Sequence, residues 1–269
     1  MKTVFEKIND FKIIDFHTHP FMSGDNICTY RKSYDMSAED IIPTLTACGI
    51  SAICGSVIRM DNLEIFSNPF ERIKAENADA LALKEKLGDF YIPGFHIHPD
   101  YIDESIEEIR AMSKRGIKLI GELVPYMHGY SDYSHEGLSP LLEEAEKHSM
   151  VISLHTLKPE SIDVMVSAHK DVTFVAAHPG ERDTLLAHIE RMKKYDNVYL
   201  DISGTGIFRY HSLRYLVDQV GSERILFGSG YPICNPGFYV GGVLAEPLTD
   251  KDFENIFYNN AKRILGLND

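Results

Sequence analysis

Two histidines stand two residues apart near the start of the chain, in the segment Asp15-Phe16-His17-Thr18-His19-Pro20. The apolar residues before them are typical of a β-strand. Because residues two apart on a strand share one face, His17 and His19 are expected to point the same way, with Asp15 below them. Two imidazoles that converge in this way can chelate one divalent ion, and an acid beneath them can orient a ring through its second nitrogen.

Other metal-binding residue types stand at the ends of later apolar segments. His155 ends the segment 150–155, His178 ends 172–178, and Glu122 stands near the end of 116–123. Buried histidine and glutamate need polar partners, so their recurrence at strand ends is hard to explain as core packing. For Glu122, a structural network with Lys118 or a neighbouring histidine is the alternative.

A repeated pattern of short apolar segments and longer helical segments must position these residues. The apolar segments are nearly continuous, which favours parallel strands covered on both faces. The longer segments repeat apolar residues three or four positions apart, as in Ile102, Ile106 and Ile109, which is typical of amphipathic helices. The eight predicted strands are residues 12–17, 51–57, 89–97, 116–123, 150–155, 172–178, 197–203 and 224–229.

Eight strand–helix units without a linker or composition break predict an α/β fold, a single (β/α)8 TIM barrel domain over residues 1–269. An open doubly wound sheet is the alternative, but no G-x-G-x-x-G follows the first strand. The long connections 20–37, 59–70 and 125–137 all follow strands. In a barrel they would gather at the carboxyl-terminal face, where active sites are built.

The composition narrows the class of protein. The 269 residues are 44% hydrophobic and 25% charged, and the net charge of -13 disfavours a nucleic-acid partner. No apolar stretch is long enough to span a membrane, and the charged first residues lack the apolar core of a secretory signal. These features predict a cytoplasmic protein with a small-molecule substrate and no membrane partner, and a homodimer is the default expectation.

Several short motifs taken together resemble the amidohydrolase superfamily. They are D-F-H-T-H-P, S-L-H, A-A-H-P-G, Y-L-D-I-S-G, F-G-S-G-Y-P and N-N-A-K-R-I-L, and they span nearly the whole chain. The closest resemblance is to the metal-dependent hydrolases of the branch that includes aminocarboxymuconate semialdehyde decarboxylase. It implies a TIM barrel with one or two divalent ions, zinc first, with Mn, Fe, Ni or Co as alternatives.

The resemblance also implies roles for the strand-end residues. His17, His19 and His155 match metal ligands of the family. His178 matches a histidine that binds a second metal or contacts substrate. Glu122 resembles the glutamate that bridges two metals in TatD-type and phosphotriesterase-like members.

The sequence departs from the family at one position. The eighth strand usually ends F-G-S-D-Y-P, with an aspartate that binds metal and shuttles the proton of the attacking water, and here Gly230 replaces it. Either His178, Glu122 or Asp201 takes the proton, or the site holds metal without efficient catalysis. Asp201 matches an acid common at the seventh strand of this branch, and a structural ion pair is an equal alternative for it.

Substrate contacts are predicted at four positions. His98 belongs to a second H-x-H, His96-Ile97-His98, which could itself chelate, but the resemblance places the metal on the first pair and makes His98 a pocket wall. Arg59 and Arg209 follow strands, where a guanidinium can hold a carboxylate, and each has a solvated loop position as its alternative. Tyr126 lies in the connection after the fourth strand and could form a lid or wall.

These observations predict a metal-dependent hydrolase that acts on an amide, lactone or ester bond of a small substrate, which can carry a carboxylate. A zinc ion with an open coordination position lowers the pKa of its bound water to about 7. The alternatives are a metal-dependent non-oxidative decarboxylase of the same superfamily, and a metal- or ligand-binding barrel that has lost catalysis because Gly230 replaces the acid.

Overall fold

Eight parallel strands lie side by side in chain order in a computed structural model, which describes residues 3–22, 36–59, 63–156 and 158–268. The sheet closes because the Phe16 N–H donates to the Phe227 carbonyl at 2.8 Å and the His19 N–H donates to the Tyr231 carbonyl at 2.7 Å. The predicted (β/α)8 barrel is confirmed, and the doubly wound alternative is wrong. The strands are β1 Ile14–Thr18, β2 Ala52–Gly55, β3 Tyr91–Phe95, β4 Leu119–Leu123, β5 Val151–His155, β6 Thr173–Ala177, β7 Val198–Asp201 and β8 Ile225–Leu226.

Helices follow or flank the strands. The helix α3 is the longest of those described, and α4 and α6 pack against each other beside the strands that precede them. A π-helical segment, Asn255–Asn259, joins the last two helices. The helices are α1 Val4–Lys7, α2 Ile41–Thr46, α3 Pro69–Leu87, α4 Ile102–Lys114, α5 Pro125–His128, α6 Leu138–Lys147, α7 Pro159–Ala168, α8 Arg182–Lys194, α9 Ser212–Val220, α10 Pro236–Ala245, α11 Asp250–Glu254 and α12 Asn260–Leu265.

The first strand shows how the sequence sorts its side chains. Ile14 and Phe16 belong to the same buried apolar cluster as Leu265 of α12. Asp15 and His17 alternate with them and are also buried. The cluster also contains Val151 of β5 and Leu226 of β8, so these apolar side chains pack inside the barrel below the site, and the register of β1 shifts between Asp15 and Thr18, where His17 stands.

The long connections differ in how much of them the structure describes. The connection 125–137 is described throughout and begins with α5. In the connection 20–37, residues 23–35 lie outside the described residues, and in 59–70 the same holds for 60–62. No helix among the described residues combines the length and the apolar character needed to cross a membrane.

Candidate metal centre

Glu122 lies at the centre of four histidines that come from the ends of three strands, β1, β5 and β6. Its Oε1 atom is 2.8 Å from His155 Nδ1 and 3.5 Å from His178 Nε2. Its Oε2 atom is 3.6 Å from His17 Nε2 and 3.5 Å from His19 Nε2. The structure thus brings together all five residues predicted as metal ligands.

One half of this cluster has the dimensions of a coordination site. His17 Nε2 and His19 Nε2 are 3.2 Å apart, and each is 3.5–3.6 Å from Glu122 Oε2. Ligand atoms on a tetrahedral zinc ion, with bonds of about 2.0–2.1 Å, are separated by about 3.3 Å. His17, His19 and Glu122 therefore fit a single divalent ion, and Glu122, His155 and His178 form a second, looser group.

Hydrogen bonds at the far side of the rings set which nitrogen is free. His17 Nδ1 is 2.9 Å from Asp201 Oδ2, and His19 Nδ1 is 3.3 Å from the Ser56 carbonyl oxygen. A carboxylate and a carbonyl can only accept, so in the neutral rings Nδ1 carries the proton and donates it. The lone pair of each Nε2 atom is then available to a cation beside Glu122.

The orientation of His178 depends on a short chain of polar contacts. Its Nδ1 lies 3.0 Å from Ser203 Oγ, and the Ser203 hydroxyl donates to Asp201 Oδ1. Because that hydroxyl proton is used on the carboxylate, His178 Nδ1–H donates to the hydroxyl oxygen and Nε2 remains bare. The backbone of His178 has a φ of 69°, a conformation that non-glycine residues adopt rarely.

The charges in the metal-free cluster are coupled. Burial raises the pKa of Glu122, but the neighbouring His17, the hydrogen bond from His155 and the nearby His178 hold it well below its usual value. Burial lowers the pKa of His17, whereas Asp201 and Glu122 raise it to about 9. Burial and the neighbouring His17 lower the pKa of His19 to about 3. A cation that binds at neutral pH must therefore displace a proton from His17.

A cavity of about 640 Å³ opens over the cluster, a size typical of small-molecule sites. Among the described residues that line it, Glu122 is the one carboxylate, and none is lysine or arginine. Tyr126 of α5 forms part of the wall, with its ring 5.7 Å from the His155 ring. The other walls are largely apolar and include Ile58, Val124, Met127, Phe208, Ile233 and Tyr239.

Three of the predicted substrate contacts have other partners. The Arg59 side chain donates to Asp79 at 3.0 Å, and the Arg209 side chain donates to Glu181 at 3.1 Å. His98 is buried, with Nε2 2.8 Å from the His128 carbonyl oxygen. None of the three lines the cavity, whereas Tyr126 does.

The acid that orients His17 comes from another strand than expected. Asp15 accepts hydrogen bonds from the backbone N–H and hydroxyl of Ser229, at 2.8 and 2.5 Å. Asp201 on β7 contacts the His17 ring instead. The role of Ser203 was not predicted from the sequence, although its spacing of two residues from Asp201 was the available signal.

Gly230 lines the cavity at the position that the resemblance assigns to an aspartate, so no carboxylate reaches the site from there. Its φ of 74° lies in the left-handed region that favours glycine. A Cβ atom at this position would be 3.7 Å from Cys234 Sγ, an ordinary contact distance. Space for a side chain is present, and only the backbone conformation opposes one.

Comparisons with known proteins agree with this geometry. The family model described as Amidohydrolase matches residues 14–267. The chain therefore belongs to the amidohydrolase family. No curated protein matches the sequence.

Solved structures of distant sequence share the fold. A 2,6-dihydroxybenzoate decarboxylase from Rhizobium is 15% identical, with a TM-score of 0.72 over 96% of this chain and 99% of that one. A protein assigned as a 2-pyrone-4,6-dicarboxylic acid hydrolase from Pseudomonas putida is 18% identical, with a TM-score of 0.69 over 95% and 98%. A dihydroxybenzoic acid decarboxylase from Polaromonas, with bound manganese, is 12% identical, with a TM-score of 0.73 over 96% and 98%.

Proposed function

We propose that this protein is a metal-dependent hydrolase that opens an amide, lactone or ester bond of a small substrate, with His17, His19 and Glu122 holding one divalent ion. The observation that carries the proposal is the near-tetrahedral spacing of 3.2–3.6 Å between their three ligand atoms at the floor of a cavity. A zinc ion bound there would lower the pKa of a water to about 7 and polarise a carbonyl oxygen.

His178 is the proposed proton acceptor. Its Nε2 atom is bare and lies at the cavity, 3.5 Å from Glu122 Oε1. When the ring takes a proton, the resulting charge is stabilised through Ser203 by the Asp201 carboxylate, much as an acid stabilises the histidine of a catalytic triad. This assigns to His178 the proton transfer that an aspartate at position 230 performs in the family.

His155 is proposed to orient Glu122. Its Nδ1 atom is 2.8 Å from Glu122 Oε1, so the ring holds the carboxylate with Oε2 turned toward His17 and His19. To hold a second ion through Nδ1 together with Glu122 and His178, His155 would have to give up this hydrogen bond. A metal count at saturation separates the two arrangements.

The walls of the cavity indicate the body of the substrate. Tyr126, Phe208 and Tyr239 offer aromatic surface, and the described lining offers no guanidinium or ammonium group to a carboxylate. These walls favour a substrate with an apolar or aromatic body whose reacting carbonyl lies over Glu122.

Decarboxylation of an aromatic acid is the second candidate function. Two of the three similar structures described above are dihydroxybenzoate decarboxylases, one with manganese bound, and aromatic walls suit a ring. Replacing a carboxylate by hydrogen needs a proton delivered to carbon, and His178 is placed to carry it.

Turnover of a substrate panel distinguishes these functions. Protein stripped with a chelator and reloaded with zinc or manganese is given aryl esters, lactones, amides and 2,6-dihydroxybenzoate, and acid release and carbon dioxide are both measured. We expect metal-dependent acid release, and a His178→Asn variant with kcat lowered about 10²–10⁴-fold at unchanged zinc binding. A matched His169→Asn variant changes a histidine that contacts Ser139 away from the cavity and should leave turnover unchanged.

Two results would overturn the hydrolase proposal. Carbon dioxide release without hydrolysis of any ester, lactone or amide would establish the decarboxylase instead. No turnover at full metal occupancy would leave a barrel that binds metal without catalysis.

A further inference from the structure

A second group of metal-binding residue types lies away from the cavity. Glu76 of α3, His96 in the segment after β3, and His128 at the end of α5 are all buried, and each offers a ligand atom within 4.8 Å of the others. None of the three lines the cavity or contacts Glu122. Three successive strand–helix units thus meet at this group.

Hydrogen bonds among the described residues account for only one of the two ring nitrogens of His96. Its Nε2 atom is 2.9 Å from the Val57 carbonyl oxygen, and a carbonyl can only accept, so Nε2 carries the ring proton. The Nδ1 atom is therefore an unprotonated acceptor, and it is buried with no hydrogen-bond partner among the described residues. Burial lowers the pKa of His96 to about 4, so no second proton occupies Nδ1 at neutral pH. Buried acceptors without a partner are rare in native proteins.

The two oxygens of Glu76 have different partners, one of them His128. Glu76 Oε1 accepts from the Arg72 side chain at 2.9 Å and from the Arg59 backbone at 2.8 Å. Its Oε2 atom is 3.1 Å from His128 Nε2, and the His128 ring lies 4.6 Å from the His96 ring, centroid to centroid. A carboxylate oxygen and two imidazole nitrogens are a ligand set for a first-row transition ion.

We propose that Glu76, His96 and His128 bind one divalent transition ion, zinc being the probe of choice, at a structural site. The ion replaces the proton that His128 shares with Glu76 and supplies the missing partner of His96 Nδ1. Arg72, on the other oxygen of Glu76, reduces the net negative charge, so this site is weaker than the one at Glu122.

The site has a consequence for the cavity. His128 belongs to α5, and the same helix carries Tyr126 and Met127, which line the cavity wall. The Arg72 guanidinium also donates to the Met127 carbonyl at 2.6 Å. An ion at Glu76, His96 and His128 therefore fixes the position of that wall relative to α3.

Metal retention in a protein without the cavity site tests the proposal. A His17→Ala/His19→Ala/Glu122→Gln variant, in which both groups that share Glu122 are broken, is saturated with zinc and passed through a desalting column. We expect it to retain about one equivalent of zinc and to lose thermal stability when a chelator removes it. Adding His96→Ala, or Glu76→Gln in its place, should abolish the retained zinc. Adding His188→Ala removes a buried histidine whose two ring nitrogens have partners and should not.

A crystal of the unmodified protein grown with zinc gives the direct answer and does not depend on any variant folding. An anomalous difference peak at the zinc edge, within bonding distance of His96 Nδ1, His128 Nε2 and Glu76 Oε2, is the expected result. A water molecule at that position, or a His17→Ala/His19→Ala/Glu122→Gln variant that retains no zinc, would overturn the proposal. Neither result depends on whether the cavity site is hydrolytic.

Discussion

Replacing Asp201 with asparagine removes the carboxylate that orients His17. Asp201 is fully buried, and its Oδ2 atom is 2.9 Å from His17 Nδ1. Losing such a partner of a metal-binding histidine typically costs about 10–100-fold in metal affinity, or about 1.4–2.7 kcal/mol. An amide N–H facing the ring also favours the tautomer with its proton on Nε2, the nitrogen that the ion needs. We therefore expect Asp201→Asn to weaken zinc binding at the cavity by at least about tenfold.

The assay is the free zinc concentration that gives half-maximal turnover in chelator-buffered solutions, since turnover reports only on the cavity site. Burial lowers the pKa of His17 while Asp201 and Glu122 raise it to about 9, so protons compete with zinc at neutral pH in the unmodified protein. The Asp201→Asn variant relieves part of this competition. Its loss of zinc affinity relative to the unmodified protein should therefore be larger at about pH 9 than at neutral pH.

A matched control separates this effect from a general loss of negative charge. Asp218→Asn changes a carboxylate that pairs with Arg214 on the outer surface of α9, and its zinc dependence should equal that of the unmodified protein. The reasoning is refuted if Asp201→Asn, folded and with an unchanged melting profile, requires no more zinc than the unmodified protein at either pH.

Three further predictions follow from the same contacts. Gly228→Ala would place a Cβ atom 2.7 Å from His17 Cβ, so zinc-dependent turnover should fall while circular dichroism stays native; unchanged turnover would contradict this. Tyr126→Ala removes an exposed part of the cavity wall and should raise KM more than it lowers kcat, and steady-state kinetics would reject a pure kcat effect. Burial and Arg191 lower the pKa of His188 to about 3 from an unfolded value of 6.5. Protonation therefore favours the unfolded chain, and the free energy of unfolding should fall as the pH drops from 6.5 toward 3. Urea titrations should show a shallower decline for His188→Asn, and an equal decline would argue against a neutral, buried His188.

The barrel and the convergence of its candidate strand-end ligands could be predicted because they depend on local patterns. Each apolar segment contains one observed strand, and β1 extends by a single residue, Thr18, beyond its predicted end. Parallel strands in a closed barrel place their carboxyl ends at one face. That geometry alone brings His155 and His178 to Glu122 without any detail of the loops.

The hydrogen-bond partners of the candidate site residues could not be predicted because they depend on closure of the barrel and on contacts between residues distant in sequence. Asp15 and Asp201 are both acids near a barrel end. Ser229 donates hydrogen bonds to Asp15, and Asp201 contacts the His17 ring. The Arg59 side chain pairs with Asp79, 20 residues along the chain, and no pattern in the sequence links the two.

The measurement that tests the central claim most directly is turnover of a hydrolysable substrate by stripped and zinc-reloaded protein, with Glu122→Gln alongside. Glu122 is the residue that both halves of the metal cluster share. We predict that stripping abolishes hydrolysis, that zinc restores it, and that Glu122→Gln is not restored at any zinc concentration. Full hydrolysis by the stripped protein, or by Glu122→Gln, would contradict a metal-dependent mechanism at this site.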